Sequence, residues 1–179
     1  MSIRLSLLEI PEKVELAIII VPAKFVPAVL EECGQMQIHT AIIISAGFSE
    51  VHTDEGSDLE KQVIELAEKH TIDIVGPNCL GILNPALKMN ASFAAELPPS
   101  GNIALFSQSG ALAVALMDGA EKNGLGFSLV ASIGNKAVLT ECDFLSYAER
   151  DDSTDVVGLY IEDIADGAYF LRTAKSLAQ

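Results

Sequence analysis

Cationic residues are scarce: 11 lysines and arginines stand against 25 aspartates and glutamates, for a formal net charge of −14. That balance argues against a nucleic-acid partner, since no Lys/Arg cluster is present to neutralise phosphates. Cysteine is scarce too. Cys33, Cys79 and Cys142 are odd in number and far apart, a pattern that suits neither a zinc site nor a disulfide framework. Free thiols in a reducing compartment are expected, and no residue is assigned to a metal. Long apolar runs are missing, so no membrane-spanning helix is expected, and Met1-Ser2-Ile3-Arg4-Leu5 lacks the charged and apolar regions of a secretory leader. A cytoplasmic location with no membrane partner follows as the expectation. Low-complexity segments and Pro/Gly/Ser-rich linkers are absent as well.

What is present is apolar. Half of the 179 residues are hydrophobic, which suits one sizeable domain or two small ones with real cores. Strand and helix signals alternate almost throughout. Leu16 to Val21 is a β-branched run, Lys24 to Met36 reads as a helix, and Thr40 to Ser45 as a second strand. Ser57 to His70 is an amphipathic helix with Asp54 or Ser57 available as caps, and Ile72 to Val75 is a third strand. Pro77, Gly81 and Pro85 interrupt the pattern, and Met89 to Phe93 reads as a less regular piece. Alternation resumes with a strand Asn102 to Phe106, a helix to about Asn123, a strand Phe127 to Ser132 and a helix near Cys142 to Arg150. A strand Val156 to Ile161 and a helix from Gly167 close the series. The order predicts an α/β protein of two tandem open parallel-sheet units with right-handed crossovers, residues 1–96 and 97–179.

The stretch Gly101 to Leu112 reads as a buried strand that turns through Ser107, Gln108, Ser109 and Gly110 into a helix. The first N–H groups of a helix lack partners within it and its dipole favours an anion, so a phosphoryl or carboxylate group would be stabilised there. Ser109 as a plain N-cap of a core helix explains the same residues. In open parallel sheets ligands bind beyond the carboxyl ends of strands. Those ends carry Val21-Pro22-Ala23, Ser45-Ala46-Gly47-Phe48, Gly76 to Gly81, Ser107 to Gly110, Ser132 to Lys136 and Ile161-Glu162-Asp163. Small residues, amides and glycines at six strand ends suit a phosphate-bearing, nucleotide-like ligand, although turns also favour these residues.

Three ordered motifs carry a family resemblance: Gly76-Pro77-Asn78-Cys79-Leu80-Gly81-Ile82-Leu83-Asn84-Pro85, Gly101 to Leu112, and Gly134-Asn135-Lys136-Ala137. With Val21-Pro22-Ala23 and Ile44 to Phe48 upstream, they resemble the NDP-forming acyl-CoA synthetases, and in particular the α part of the ADP-forming acetate–CoA ligases, relatives of succinyl-CoA synthetase α. The resemblance implies part of a Rossmann-like CoA-binding domain followed by a flavodoxin-like succinyl-CoA-ligase domain. It also implies an acid–thiol ligase that interconverts acyl-CoA, phosphate and ADP with acid, CoA and ATP through an acyl phosphate and a phosphorylated histidine. By matching positions, Val21, Pro22, Ala23, Ser45, Ala46 and Gly47 would line the CoA groove, with Asn78 and Cys79 near its thiol end. Ser107, Gln108, Ser109, Gly110 and Ala111 would hold the phosphoryl group. Glu162 would be the carboxylate that orients the phosphohistidine. A Cys after a strand is more often a small packed residue, and the implied chemistry needs no enzyme thiol.

The departures from that family are equally specific. The glycine-rich loop that cradles CoA phosphates would precede Met1, and the phosphorylated histidine would follow Gln179. His39, His52 and His70 have no phosphohistidine context. A central fragment is therefore expected, inactive alone, working in an oligomer with an ATP-grasp β subunit or fused domain that binds ADP or ATP with Mg2+. Two alternatives keep the same domains: a CoA-responsive regulatory module of a protein acetyltransferase, and a stand-alone CoA-binding sensor without catalysis.

Overall fold

A computed structural model describes residues 6–178. Short β-branched runs bounded by turn residues become strands, and the amphipathic segments between them become the helices that cover the sheet. Strand β1 (Ala17–Ile19), helix α1 (Val26–Gln35), β2 (Thr40–Ile43), α2 (Asp54–His70) and β3 (Asp73–Val75) form a parallel sheet in the order β1-β2-β3. Residues Ile19, Leu30, Ile43, Phe48, Val63 and Ile74 form its core. The N-cap of α2 is Thr53, not Asp54 or Ser57. Thr53 keeps extended dihedrals (φ −113°, ψ 155°) and its Oγ1 accepts from Gly56 N–H at 3.1 Å, so Asp54 is already inside the first turn.

The second sheet departs from the expected parallel pattern. Strands β4 (Gly81–Asn84) and β5 (Met89–Ser92) form a hairpin, so the segment read as less regular is a strand. After it come β6 (Ser100–Ser107), α3 (Gly110–Lys122), β7 (Phe127–Ser132), α4 (Glu141–Ala148), β8 (Val156–Tyr160) and α5 (Gly167–Leu177). The order is β5-β4-β7-β6-β8: β6 pairs in parallel with β7 and β8, while β4 runs antiparallel to both β5 and β7. This sheet is mixed. The hairpin is too short to show periodicity and is fixed by pairing with β7, far along the chain. Gly81 is needed where it enters: its φ is +112°, and a Cβ there would lie 2.3 Å from the Ala91 carbonyl oxygen.

One apolar cluster joins the two sheets, with Ile42, Val75 and Cys79 from the first packed among Phe106, Ile133 and Phe144 from the second. The Phe106 and Phe144 ring centroids are 5.3 Å apart. Backbone bonds add to this join: the N–H groups of Asn135, Ala137 and Leu139 donate to the carbonyls of Pro77, Gly76 and Ile74 at 2.9, 3.1 and 3.1 Å. The chain leaving β7 thereby runs alongside the end of β3, and the strand ends of both sheets come together.

Helices α1 and α2 are bridged by Glu31, which accepts from Lys69 Nζ at 2.9 Å and meets His70 Nε2 at 2.9 Å. Hydrogen bonds from Lys69 and then His70 hold its carboxyl down at about 2. A depressed carboxylate contributes stability above its unfolded value and loses it as pH falls through the folded one. Glu31→Gln is therefore expected to flatten the loss of stability between pH 5 and 2, the window set by the ordinary value of 4.5 and the lowered one. Urea titrations at stepped pH check this, and unchanged pH dependence would refute it. The group is exposed, so the effect is small.

Candidate functional site

Three strand ends build the first half of the site. Ser45, just after β2, ties them: its Oγ donates to the Val21 carbonyl after β1, and its own carbonyl accepts from Asn78 N–H at 3.0 Å after β3. Pro22, Ala23, Lys24, Gly47, Thr53 and Glu55 are among the residues that line a cavity of about 310 Å³. Gly47 has φ +110°, and a Cβ there would stand 3.2 Å from Ala23 Cβ, so glycine keeps this wall flat. Lys24, which the sequence reading passed over, stands at the rim with its ammonium 5.0 Å from the Phe25 ring centroid. A groove of small and apolar residues that carries one ammonium, with the Glu55 carboxylate also in its wall, has room for a partly apolar ligand that bears phosphate at the Lys24 side.

Asn78 and Cys79 occupy different environments. Asn78, half-buried at φ 57°, donates from Nδ2 to Asn135 Oδ1 at 3.3 Å. The Cys79 thiol is buried, donates to the Ile43 carbonyl at 3.3 Å, and is pushed up to about 12 by desolvation. A thiol held protonated in the core is a packing group. Cys33 and Cys142 are likewise free and buried.

The second half lies at the β6 to α3 turn. Ser107 is fully buried, and its Oγ donates to the Ser109 carbonyl at 2.7 Å and accepts from Ser109 N–H at 3.1 Å. Ser109 Oγ caps α3 by accepting from Leu112 N–H at 3.2 Å. Both hydroxyls thus shape the turn, and Gly110 and Ala111 stand in the first turn of α3, where N–H groups point outward. A Cβ on Gly110 would lie 3.3 Å from Leu80 Cβ and 3.7 Å from Ser132 Oγ. Ser132 Oγ is buried without a hydrogen-bond partner among the described residues, which leaves a polar atom at the base of the turn. An oxyanion fits such a place.

Gln108 turns toward β8 instead of standing free. Its Oε1 accepts from the N–H groups of Glu162 and Asp163 at 2.6 and 3.2 Å, and its Nε2 donates to Asp163 Oδ1 at 2.7 Å. That amide, helped by Lys136 and opposed by partial burial, holds the Asp163 carboxyl below its ordinary value. Glu162 is exposed, and its carboxylate makes no hydrogen bond among the described residues.

Residues 134–136, noted in the sequence only as a motif, connect the two halves. Gly134 has φ +55°, and a Cβ there would lie 2.1 Å from the Pro77 carbonyl oxygen. Asn135 Nδ2 stands 2.7 Å from both Glu50 Oε2 and Glu60 Oε2, and 3.3 Å from Ser49 Oγ. Burial works against the Glu50 charge, but the Gly47 N–H, the Asn135 amide and the Phe48 N–H outweigh it and hold that carboxyl low. Lys136 pairs with buried Glu141 at 3.0 Å. The useful signal in the sequence was position: all these residues directly follow strands. The partners were not legible, because Glu50, Glu60 and Glu141 look like ordinary surface acids. The three histidines lie elsewhere: His39 against the Thr71 carbonyl, His70 against Glu31, and His52 at the end of a short 3-10 turn. Among the described residues no helix is long and apolar enough to cross a membrane.

Two family models match in tandem: a CoA binding domain over residues 3–85 and a succinyl-CoA ligase like flavodoxin domain over residues 100–179. The chain is 51% identical over 174 residues to the ADP-forming acetate–CoA ligase I of Archaeoglobus fulgidus, covering 97% of this chain and 25% of that protein. It is 46% identical to the ADP-forming 4-hydroxybutyrate–CoA ligase of Nitrosopumilus maritimus, again with 97% and 25% coverage. The dinucleotide-forming acetyl-coenzyme A synthetase 1 of Candidatus Korarchaeum cryptofilum, solved with phosphate and ADP, superposes with a TM-score of 0.93 at 34% identity, over 99% of this chain and 38% of that one. The chain spans about a quarter of the length of these curated relatives. It belongs to the ADP-forming acyl-CoA synthetase family, in the part that carries the CoA-binding and succinyl-CoA-ligase-like flavodoxin domains.

Proposed function

We propose that this chain is the CoA-binding and phosphate-handling part of an acid–thiol ligase that interconverts acyl-CoA, phosphate and ADP with acid, CoA and ATP. The observation that carries it is the joining of the two half-sites through residues 134–136, which bond to Glu50 and Asn78 on one side and to Asp163 on the other. A sensor of CoA alone has no use for the second half. Bound CoA supplies the thiol whose acyl thioester is exchanged for an acyl phosphate. Pro22, Ala23, Ser45, Ala46 and Gly47 hold its adenosine and pantetheine portion, and Lys24 meets a phosphate. Asn78 lies toward the thiol end, with Cys79 packed beneath.

At the other half, the N–H groups of Gly110 and Ala111 bind a phosphoryl group with the positive end of α3 behind them. Glu162 accepts an N–H of the imidazole that carries the phosphoryl group in this family, a histidine outside this chain. An ATP-grasp part, fused or separate, takes ADP or ATP with Mg2+, and the assembly is a cytoplasmic oligomer. The acid is a small carboxylate whose pocket draws on residues beyond this chain.

Isothermal titration of CoA into the chain tests the first half, with Lys24→Glu as the control. Wild type is expected to bind, and the reversed charge should weaken binding about tenfold, or about 1.4 kcal/mol. Equal affinity in both would remove Lys24 from the site, and no binding to wild type would overturn the groove assignment. In the full-length protein, ATP formation from acyl-CoA, phosphate and ADP tests the reaction.

A further inference from the structure

Lys136 holds a buried ammonium, 4% exposed, in the loop between the two half-sites. Its backbone lies at φ 58°, a left-handed conformation that a non-glycine residue keeps only where its surroundings impose it. Three oxygens surround the ammonium. Nζ donates to Glu141 Oε2 at 3.0 Å and to the Asp163 carbonyl at 2.7 Å, and lies 3.2 Å from Asp163 Oδ1. Buried and surrounded by protein oxygens, the ammonium acts through the segment it grips.

That segment is gripped from the other side as well. Gln108 donates its backbone N–H to the Tyr160 carbonyl at 2.9 Å, and its amide binds the N–H groups of Glu162 and Asp163 and the Asp163 carboxylate. Together the two residues take up the Glu162 N–H and the N–H, carbonyl and carboxylate of Asp163. The exposed Glu162 side chain makes no hydrogen bond among the described residues. Charge-assisted bonds from a buried ammonium are strong and directional, and Glu141, 1% exposed on the first turn of α4, fixes the ammonium in turn.

We propose that Lys136 is a positioning residue for Glu162: by locking Asp163 against Gln108, it fixes the direction in which the Glu162 carboxylate leaves the end of β8 beside the phosphate turn. The role rests on the reading of Glu162 as the carboxylate that orients the phosphorylated imidazole. Asn135, the preceding residue, is bonded to Glu50 and Asn78, so the carboxylate takes its reference from the CoA half of the site.

Two readouts on the full-length protein test it. Amide hydrogen exchange reads the clamp directly: in Lys136→Met the Glu162 and Asp163 amides should exchange at least tenfold faster, while Leu105 and Phe106 in β6 keep wild-type rates. Lys136→Arg should restore most of the protection. In kinetics, Lys136→Met should lower kcat for ATP formation about a hundredfold and leave the KM for CoA within twofold. Should Lys136→Met fail to fold, Lys136→Met/Glu141→Leu removes the whole buried pair and carries the same readouts. Wild-type exchange at Glu162 in a folded variant, or a loss confined to the KM for CoA, would overturn the proposal. A wild-type protein that forms no ATP would refute the ligase reading, and the exchange experiment would still decide whether Lys136 holds the Glu162 segment.

Discussion

Gly134→Ala is expected to destabilise the chain by about 3 kcal/mol. Holding a non-glycine residue in the left-handed region costs roughly 1 kcal/mol, and forcing a methyl into a filled contact about 2 more. Both apply here, since φ is +55° and the new Cβ would sit 2.1 Å from the Pro77 carbonyl oxygen and 2.8 Å from that of Asn78. Neither obstacle is the end of a flexible side chain, so relief requires the backbone of one half-site to move away from the other. The Asn135 amide would leave Glu50 and Glu60 as that happened. A urea midpoint measured with an unchanged m-value gives the loss directly. A change below 1 kcal/mol would mean that the join between the sheets yields easily, contrary to the packed cluster around Phe106 and Ile133.

The buried pair of Lys136 and Glu141 predicts a strongly non-additive cycle. Removing the ammonium alone, as Lys136→Met, leaves a carboxylate that is 1% exposed with no counter-charge, and should cost about 3–5 kcal/mol. Its Oε1 already lacks a partner among the described residues, so nothing nearby stands ready to take over. Replacing both members, as Lys136→Met/Glu141→Leu, removes the desolvation penalty together with the attraction and should fall within about 1 kcal/mol of wild type. Chemical denaturation of the four proteins gives the coupling energy. Additive losses would mean that the two groups are solvated separately. A double variant that is stable yet slow in catalysis would separate the pair's contribution to the site from its contribution to the fold.

Much of the architecture was legible beforehand. β-branched runs such as Leu16 to Val21 and Thr40 to Ser45 have few alternatives when helical segments flank them, and the Ser109 cap stands where strand gives way to helix. The hairpin Gly81 to Ser92 was not legible. Its strands have four residues each, and only the edge of β7 makes them a sheet. Side-chain roles at the site divided in the same way. Ser107 and Gln108 belong to the phosphate turn in sequence, but their polar atoms are directed to Ser109 and to the 162–163 segment, because buried or half-buried hydroxyls and amides must find partners.

Local sequence determined the alternation of strands and helices, the small residues at the strand ends and the turn at Ser107 to Gly110, because each depends on backbone preferences within a few residues. Tertiary structure alone decided which acids meet which donors. Glu50 and Glu60 reach Asn135 across 85 and 75 residues, and Lys136 reaches Asp163 across 27. Such pairings carry no local signature, since a carboxylate on a helix or loop is equally at home in water until folding brings a buried amide or ammonium against it.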